Sequence, residues 1–235
     1  MLIGIIGALA IEVEEIIGKM ENAEKETVSR IDFYLGKING VNCVVARCGV
    51  GKVNAALCAQ TMVLRYAPDM LINSGVAGGI KKGIRIGDLV LASCAVQHDV
   101  DTTPFGDPAG LVPEIDLVEM PTSHQMNLVL ADAAKACEFP GAIHEGCIAS
   151  GDQFICSKEK LHWIASTFEA DACEMESGSI AQVCYINGVA YTALRCISDN
   201  ADDGADADYE QFSEYAAHQT TELLCRALPE LAKLA

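Results

Sequence analysis

The sequence predicts an α/β protein in which helices cover a sheet that contains several parallel strands. Short apolar runs, typical of strands buried on both faces, alternate with segments whose apolar residues recur at helical spacing. The chain has 235 residues, 51% of them hydrophobic, which is enough apolar sequence for one large core. No stretch has the composition of a linker, a repeat or a low-complexity tract, so we expect a single domain over residues 1–235.

The elements follow from the hydrophobic pattern in chain order. The run LIGIIGA at 2–8 predicts a buried strand, and the segment 11–20 places apolar residues at i, i+3, i+4 and i+7 of a helix. Further strands are predicted within 30–48 (two or three, with an Asn-Gly turn) and at 70–75, 87–96, 143–150 and 189–197. Further helices are predicted at 53–66, 125–137, 179–188 and about 209–232, with a long loop or lid at 99–121.

Composition argues against several classes of function. The formal net charge of -17 would repel nucleic acid and anionic membrane surfaces, and it favours a small neutral or cationic ligand. The 11 cysteines include no C-x-x-C pair and the histidines never stand four apart, which argues against a metal site and for buried thiols in a reducing cytoplasm. The apolar N-terminal run lacks a basic leader, so it is predicted to be a strand and not a signal peptide or membrane span.

Glycine clusters follow several of the predicted strands. In such sheets ligands bind beyond the carboxyl ends of the strands, so these clusters are expected to line a site. The segment GVGK at 49–52 resembles half of a phosphate-binding P-loop, but Ala46 stands where the first motif glycine is required and Val53 replaces the magnesium-binding Ser or Thr. The G-x-G-x-x-G pattern of dinucleotide sites is also absent. The glycines are therefore predicted to let backbone approach a ligand closely.

Charged residues stand at three of these strand ends. Glu12 lies in the first turn of the first helix, where it can act in catalysis or simply complement the helix dipole. Glu174 and Glu176 flank Met175, so in an extended segment only one of them can face a crevice; a helix-capping role is the alternative. Arg195 lies inside an otherwise uncharged strand and needs a carboxylate partner, for which Glu12 and Glu176 are the predicted choices.

Several short segments together give a more specific indication. They are IGIIGALAIEVE, GVGKVNAAL, INSGVAGG, GDLVLA, QHDVDTTPFG, SGDQFI, EMES and RCISDNAD. In order and spacing, over nearly the whole chain, they resemble the purine nucleoside phosphorylase/nucleosidase superfamily, and most closely its 5'-methylthioadenosine/S-adenosylhomocysteine nucleosidases. The resemblance implies a three-layer α/β/α fold with a mixed, partly barrel-like sheet, a homodimer, no cofactor, and hydrolysis of the bond between adenine and a 5'-thio-substituted ribose.

The resemblance also implies roles for individual residues. Glu12 falls at the family's water-activating base and Asp199 at its purine acid, while Glu176 falls at the acceptor for the ribose hydroxyls. Arg195 matches the residue that helps to hold the water and a carboxylate. The remaining matches are expected to bind substrate: Met175 against the sugar, Ala77, Gly78, Phe154 and Ile155 at the purine, Leu9, Val50, Phe105 and Tyr209 in the apolar pocket for the 5'-thio group, and Ser198.

The reaction explains why two carboxyl groups are needed. Cleavage of the C–N bond builds positive charge on the ribose and negative charge on the purine, so one group must be protonated and the other ionised. Burial would hold Asp199 neutral, whereas a helix N-terminus and Arg195 would keep Glu12 ionised. The aspartates that follow lack the spacing of a calcium loop and are predicted to be solvated: Asp202, Asp203, Asp206 and Asp208.

Three positions depart from the family pattern. Phosphorylase relatives hold phosphate with a basic residue and a hydroxyl where this chain has Asn73 and Val76, which favours water as the nucleophile. Val76 also replaces a serine of hydrolase relatives, so Ser74 or the backbone is expected to hold the water, and Asp107 stands where an aromatic residue often lines the thio pocket. The alternatives are aminodeoxyfutalosine hydrolysis, a purine nucleoside phosphorylase and, from another class, a non-catalytic nucleoside-binding domain.

Overall fold

All strands of the described residues belong to one mixed sheet. The computed structural model describes residues 1–202 and 204–234, so that Asp203, predicted to be solvated, lies outside the described residues. The strands are β1 (Leu2–Gly7), β2 (Glu21–Val28), β3 (Ile31–Ile38), β4 (Val41–Arg47), β5 (Met70–Gly79), β6 (Leu89–Gln97), β7 (Met120–Pro121), β8 (Ile143–Ser150), β9 (Ala170–Glu174) and β10 (Ala190–Asp199). The helices are α1 (Ala10–Gly18), α2 (Lys52–Tyr66), α3 (His124–Ala136), α4 (Lys158–Phe168), α5 (Ser177–Asn187) and α6 (Ala205–Leu231), with a 3-10 turn at Thr103–Phe105.

Part of the sheet closes into a barrel. The strands β5, β10, β6, β8 and β9 form a ring, because β10 and β9 both pair with β5. Pairing within the ring is parallel except at β10–β6 and β5–β9. From β5 the sheet continues through β1, β4 and β3 to the edge strand β2. The expected mixed, partly barrel-like sheet is therefore confirmed.

Two apolar cores lie on opposite sides of the central strands. In β1, Ile5 belongs to a cluster with residues of α1, α3 and α6, while its neighbour Ile6 belongs to a cluster with residues of α2 and α5. Adjacent residues of a strand point to opposite faces, so β1 is covered on both sides, as its unbroken apolar run predicts. Leu71 of β5 is fully buried between these layers, and truncating such a side chain to alanine costs about 2–5 kcal/mol of stability.

Besides the short β7 and the 3-10 turn, three elements were not predicted from the sequence. β2 is polar and mostly exposed, and it pairs only with β3 among the described strands, so no hydrophobic alternation marks it. β9 has only five residues. α4 did carry a signal: Ser157 caps its first turn by accepting a hydrogen bond from the N–H of Lys160 (3.2 Å), and Ile164 and Phe168 on its buried face stand four apart.

The remaining boundaries differ in small ways. The last helix begins at Ala205, earlier than predicted, because acidic residues in its first turn suit a helix N-terminus. Within 99–121 the described structure has the 3-10 turn, an isolated antiparallel bridge between Val112 and Leu117, and the short β7. None of the helices described for residues 1–202 and 204–234 is both long and apolar enough to cross a membrane.

Candidate active site

One cavity of about 300 Å³ opens where the carboxyl ends of β1, β5, β8, β9 and β10 meet. This is where the strand-end rule predicts a ligand site. The lining residues are Ala8, Leu9, Glu12, Val50, Val76, Ala77, Gly78, Gln153, Phe154, Ile155, Cys173, Glu174, Met175, Glu176, Ser198, Asp199 and Tyr209. The cavity thus gathers all the predicted site residues except Arg195, which lies behind its wall, and Phe105.

Glu12 is held at the cavity by backbone donors. It is 2% exposed, and its Oε2 accepts hydrogen bonds from the N–H groups of Ala8 (2.7 Å) and Leu9 (2.9 Å) at the start of α1. Its Oε1 accepts from the N–H of Val76 (3.0 Å) on β5. Burial raises the pKa of Glu12, and the charge of Arg195 together with these three donors opposes the rise only in part. Arg195 and the three N–H donors all favour the ionised carboxylate, but burial outweighs them, so the pKa of Glu12 is raised overall.

Arg195 is fully buried, and its main partner is Glu174. Its Nη2 donates to Glu174 Oε2 (2.5 Å), to Asn73 Oδ1 and to Ser177 Oγ (3.1 Å), whereas the Oε2 atom of Glu176 lies 3.9 Å away. The prediction of Glu176 as a carboxylate partner is therefore confirmed, but only as a longer ion pair, and Glu12 interacts with Arg195 by charge. The hydrogen-bonded carboxylate is Glu174, which was not predicted as the partner. The cause is that Glu174 ends β9 with its side chain turned inward, where the guanidinium compensates its charge.

Glu174 is also saturated by other donors. It accepts hydrogen bonds from the hydroxyls of Ser150 and Ser177, and from the backbone N–H groups of Glu176 (3.0 Å) and Ser177 (2.9 Å). These contacts fix the start of α5, of which Glu176 is the N-cap residue. Glu174 is thus the group that ties Arg195 to the segment carrying Glu176.

Glu176 faces the cavity with fewer bonds. It is 5% exposed, and its Oε1 accepts from the N–H of Gly51 (2.9 Å), which precedes α2. Burial and the neighbouring Glu174 carboxylate raise the pKa of Glu176 to about 8, against the opposing effects of Arg195 and the Gly51 N–H.

Asp199 ends β10 in a different environment. Its Oδ1 accepts from the N–H of Ala201 (2.9 Å) and its Oδ2 bonds with the Ser198 hydroxyl (2.9 Å). Burial raises the pKa of Asp199, and the charges of Asp208 and Asp202 raise it further, while the two hydrogen bonds oppose them. Two of the aspartates predicted to be solvated, Asp202 and Asp208, therefore raise the pKa of Asp199.

Aromatic and apolar side chains form the mouth of the cavity. Phe154 and Tyr209 pack edge to face with ring centroids 5.8 Å apart, and Val50 and Phe154 are each 46% exposed. Burial and the charges of Glu12, Asp199 and Glu176 raise the pKa of Tyr209. Phe105, by contrast, is 88% exposed on the 3-10 turn and does not line the cavity.

Sequence reasoning missed some lining residues. Ala8 is a neighbour of the predicted Leu9, Gln153 precedes the predicted Phe154, and Cys173 lies in the unpredicted β9. Only position in the chain could have indicated them, because their side chains carry no distinctive chemistry. Ser74 does not line the cavity, and its buried hydroxyl finds no hydrogen-bond partner in the described structure.

The charged groups among the described lining residues are acidic. None of the described lining residues is Lys, Arg or His, and three of them are Glu12, Glu174 and Glu176. Elsewhere in the described chain, one group of three side chains could offer ligands to a metal ion: Glu15, His218 and Glu222. It lies outside the cavity, and the ammonium of Lys19 pairs with both glutamates (3.4 and 2.5 Å).

Comparison with known proteins agrees with this geometry. The family model of the phosphorylase superfamily matches residues 2–229. A 5'-methylthioadenosine/S-adenosylhomocysteine nucleosidase of Shewanella halifaxensis is 36% identical over 242 residues, covering 98% of this chain and 100% of the relative. The relative from Shewanella loihica is also 36% identical, over 235 residues, with coverage of 98% and 100%.

Solved structures of nucleosidases and related hydrolases are similar to this chain in fold as well as in sequence. The nucleosidase of Neisseria meningitidis in complex with methylthio-immucillin-A superposes with a TM-score of 0.94 at 33% identity, covering 97% of this chain and 99% of that one. A futalosine hydrolase mutant of Helicobacter pylori superposes with a TM-score of 0.93 at 35% identity, with the same coverage. From its sequence, its closed sheet and its cavity of buried carboxyl groups, the chain belongs to the phosphorylase superfamily and, within it, to the 5'-methylthioadenosine/S-adenosylhomocysteine nucleosidases, which are N-glycosyl hydrolases.

Proposed function

We propose that the chain hydrolyses the N-glycosidic bond of 5'-thio-substituted adenosines, 5'-methylthioadenosine and S-adenosylhomocysteine, to adenine and the thioribose. The observation that carries the proposal is the meeting of Glu12, Glu176 and Asp199 in one cavity, with no cation among its described lining residues. A dianionic phosphate nucleophile would find no Lys, Arg or His among the described lining residues to bind it, whereas a sugar that becomes cationic would be stabilised by ionised glutamates. Through this reaction the protein would serve methionine salvage and the recycling of the methyl cycle.

The proposed mechanism assigns one task to each group. Asp199, whose pKa is raised by burial and by its acidic neighbours, donates its proton to N7 of the purine as the bond from C1' to N9 breaks and the electron pair of that bond passes to the purine. Water adds to C1' and loses a proton to Glu12. Glu176 in its ionised form accepts hydrogen bonds from the ribose hydroxyls, and its charge stabilises the cationic sugar.

Arg195 is proposed to hold the nucleophilic water with Glu12. Its Nε and Nη1 atoms are buried and find no hydrogen-bond partner among the described residues. A Cβ placed on Gly75 would collide with both Arg195 Nη1 and Glu12 Oε1, so the two groups lie together above this glycine. The N–H of Val76 already orients Glu12, which supports a backbone contribution in place of a hydroxyl at position 76.

The substrate-binding roles are proposed from the positions of the lining residues. Ala77, Gly78, Ser198 and the backbone at Phe154 and Ile155 would bind adenine near Asp199, with Met175 against the ribose. Leu9, Val50 and Tyr209 would contact the 5'-thio group at the mouth. The solved futalosine hydrolase is about as similar in fold and sequence as the nucleosidase, so aminodeoxyfutalosine is the second candidate substrate.

The experiment is steady-state adenine release by the purified chain from methylthioadenosine, adenosylhomocysteine and aminodeoxyfutalosine, each with and without phosphate. We expect free thioribose and a rate that does not depend on phosphate. Formation of a sugar 1-phosphate would show a phosphorylase and contradict the proposed hydrolysis. Binding of nucleosides without turnover would indicate a non-catalytic binding domain. Turnover of aminodeoxyfutalosine alone would identify the second candidate substrate as the true one.

A homodimer is proposed from an unpartnered apolar face on α2. Val53, Leu57 and Leu64 are 68%, 57% and 76% exposed, and Ile186 on the neighbouring α5 is 62% exposed. Monomers rarely leave such faces open, and the exposed Phe105 offers a further apolar contact to a second copy. Analytical ultracentrifugation should show that the wild type is a dimer and that the double variant Leu57→Glu, Leu64→Glu is a monomer. A monomeric wild type would contradict the proposal.

The cytoplasm is the proposed location, in keeping with cysteines that are all unpaired.

A further inference from the structure

The N-terminus of α2 is capped by a side chain from a distant segment. The N-cap residue Gly51 has no side chain to offer, and the first turn of α2 contains no acidic residue. Instead Asp152, in the segment that follows β8, accepts a hydrogen bond from the N–H of Lys52 through its Oδ1 (2.7 Å). A carboxylate at this place satisfies an unpaired donor and interacts favourably with the helix dipole.

A third segment closes this contact into a cycle. Asp99, just after β6, accepts from the N–H of Asp152 through Oδ2 (2.9 Å) and pairs with the ammonium of Lys52 through Oδ1 (2.5 Å). The side chains of Lys52 and Asp99 are only 17% and 20% exposed, so water screens their attraction less than that of a surface pair. Lys52, Asp99 and Asp152 are hereafter the clamp.

Both sides of the clamp continue into the cavity. Gly51, directly before Lys52, gives its N–H to Glu176, and a Cβ on Gly51 would lie 2.9 Å from Asp152 Oδ1. Gly51 also has φ +96°, which favours glycine. On the other side, Asp152 is followed at once by the lining residues Gln153, Phe154 and Ile155. A shift in the clamp therefore moves the donor to Glu176 and the wall formed by 153–155 together.

We infer that Lys52, Asp99 and Asp152 are positioning residues, which hold the ribose-side carboxylate Glu176 and the purine-side segment 153–155 at one fixed separation. The inference rests on the proposed function, since it assigns those two parts of the wall to two parts of one nucleoside. None of the three residues lines the cavity, so they act through Gly51 and through the backbone after Asp152.

The clamp predicts an effect that a merely structural ion pair would not have. The Gly51 N–H favours the ionised form of Glu176, so its loss raises the pKa of Glu176 and moves the acidic limb of the kcat/KM profile to higher pH. Other groups facing Glu176 are unchanged by the substitutions below: Glu12, Cys48, Glu174, Arg195 and Tyr209.

The test compares Lys52→Met with Lys52→Arg and with the matched control Lys81→Met. Lys81 also pairs with an aspartate, Asp171 (2.9 Å), but lies outside the cavity. We expect Lys52→Met to lower kcat/KM about tenfold and to move the acidic limb up by about 0.5 pH unit, since small misplacements of catalytic groups are costly. Lys52→Arg should restore both values toward wild type, and Lys81→Met should change neither.

Hydrogen exchange in the ligand-free protein separates this inference from the proposed function. In Lys52→Met, amides of 50–53 and 152–155 should exchange faster than in wild type, and in Lys81→Met they should not. If wild type releases no adenine, the proposed function fails, and the exchange rates still decide whether the clamp exists. If the wild type is active but Lys52→Met has the same pH profile and the same exchange rates as the wild type, the inference about the clamp is wrong. This conclusion holds even if Lys52→Met folds in lower yield and is therefore less active.

Discussion

Glu12 and Asp199 are both buried carboxyl groups at strand ends of the same cavity, but their surroundings differ. Glu12 has three backbone N–H donors and the guanidinium of Arg195 nearby. Asp199 has one N–H donor and one hydroxyl, and the charges that act on its pKa are those of Asp202 and Asp208. Burial raises both pKa values, so the neighbours decide which group remains able to ionise.

The difference shows how one kind of residue can serve two tasks. At the Glu12 end three N–H donors and Arg195 favour the anion, which is what a base must be before it takes a proton from water. At the Asp199 end the neighbouring charges favour the neutral acid, which is what the leaving purine requires. The resemblance implied the two roles, and burial of Asp199 with a helix N-terminus at Glu12 was the physical reason offered for them. The burial of Glu12 itself was not foreseen.

Asp199→Asn should have the largest effect. The amide cannot donate a proton of useful acidity to the purine, so we expect adenine release to fall by about 10³- to 10⁴-fold with the fold retained. Steady-state rates and thermal unfolding measure the two quantities, and Asp206→Asn in the first turn of α6 is the matched control. Near-normal turnover by Asp199→Asn would remove Asp199 from the mechanism.

Glu12→Gln should lower adenine release by about 10²- to 10³-fold, and it allows the two ends to be told apart. A substrate whose leaving group needs no protonation, such as a 4-nitrophenyl 5-thioriboside, should restore much of the rate of Asp199→Asn but little of the rate of Glu12→Gln. Equal recovery of both variants would show that the two carboxyl groups do not divide the work as proposed.

The ionisation of Glu176 should appear in stability. Its pKa is about 8 in the folded protein against an ordinary 4.5, so the folded state holds the proton more tightly. This contribution is complete below about pH 4.5 and is lost as the pH rises through 8. Relative to Glu176→Gln, the free energy of unfolding of wild type should therefore fall between pH 5 and 8 by about 3 kcal/mol. Denaturant unfolding of both proteins between pH 5 and 8 measures this difference. If the free energies of unfolding of the wild type and Glu176→Gln change with pH in parallel, the prediction is wrong.

The acidic turn at the Asp199 end should give the smallest effect. Asp208→Asn or Asp202→Asn removes a charge that raises the pKa of Asp199, so the basic limb of the kcat/KM profile should move down by a few tenths of a pH unit. The double variant should shift it further, while Asp206→Asn serves again as the control. A shift to higher pH would mean that these aspartates do not act on Asp199 by charge.

The sequence predicted most of the fold because its central strands are apolar runs between amphipathic helices. β1 and β5 lie in two cores at once, so their composition alone marks them. β2 carries no such mark, because an exposed edge strand is specified by its pairing with β3 and not by its own pattern. The closure of the sheet came from the resemblance, since pairing between β9 and β5 leaves no local trace.

At the site, the types of side chain predicted which residues meet at the cavity, but not which of them form hydrogen bonds with each other. Glu174 and Glu176 are equivalent in sequence, and only the turn at the end of β9 sends Glu174 to Arg195 and leaves Glu176 toward the cavity. Arg195 was correctly expected to need a carboxylate. The clamp was invisible beforehand because its three residues come from segments about 50 residues apart in the chain.

Glu12 takes all three of its hydrogen bonds from main-chain N–H groups, at Ala8, Leu9 and Val76. Almost any side chain leaves such a donor in place, so these positions can change without releasing the base. Val76 and Leu9 also line the cavity, and their side chains are therefore free to reshape it. Substitutions at these positions can therefore change which substrates fit the cavity, while the hydrogen bonds that orient Glu12 remain the same.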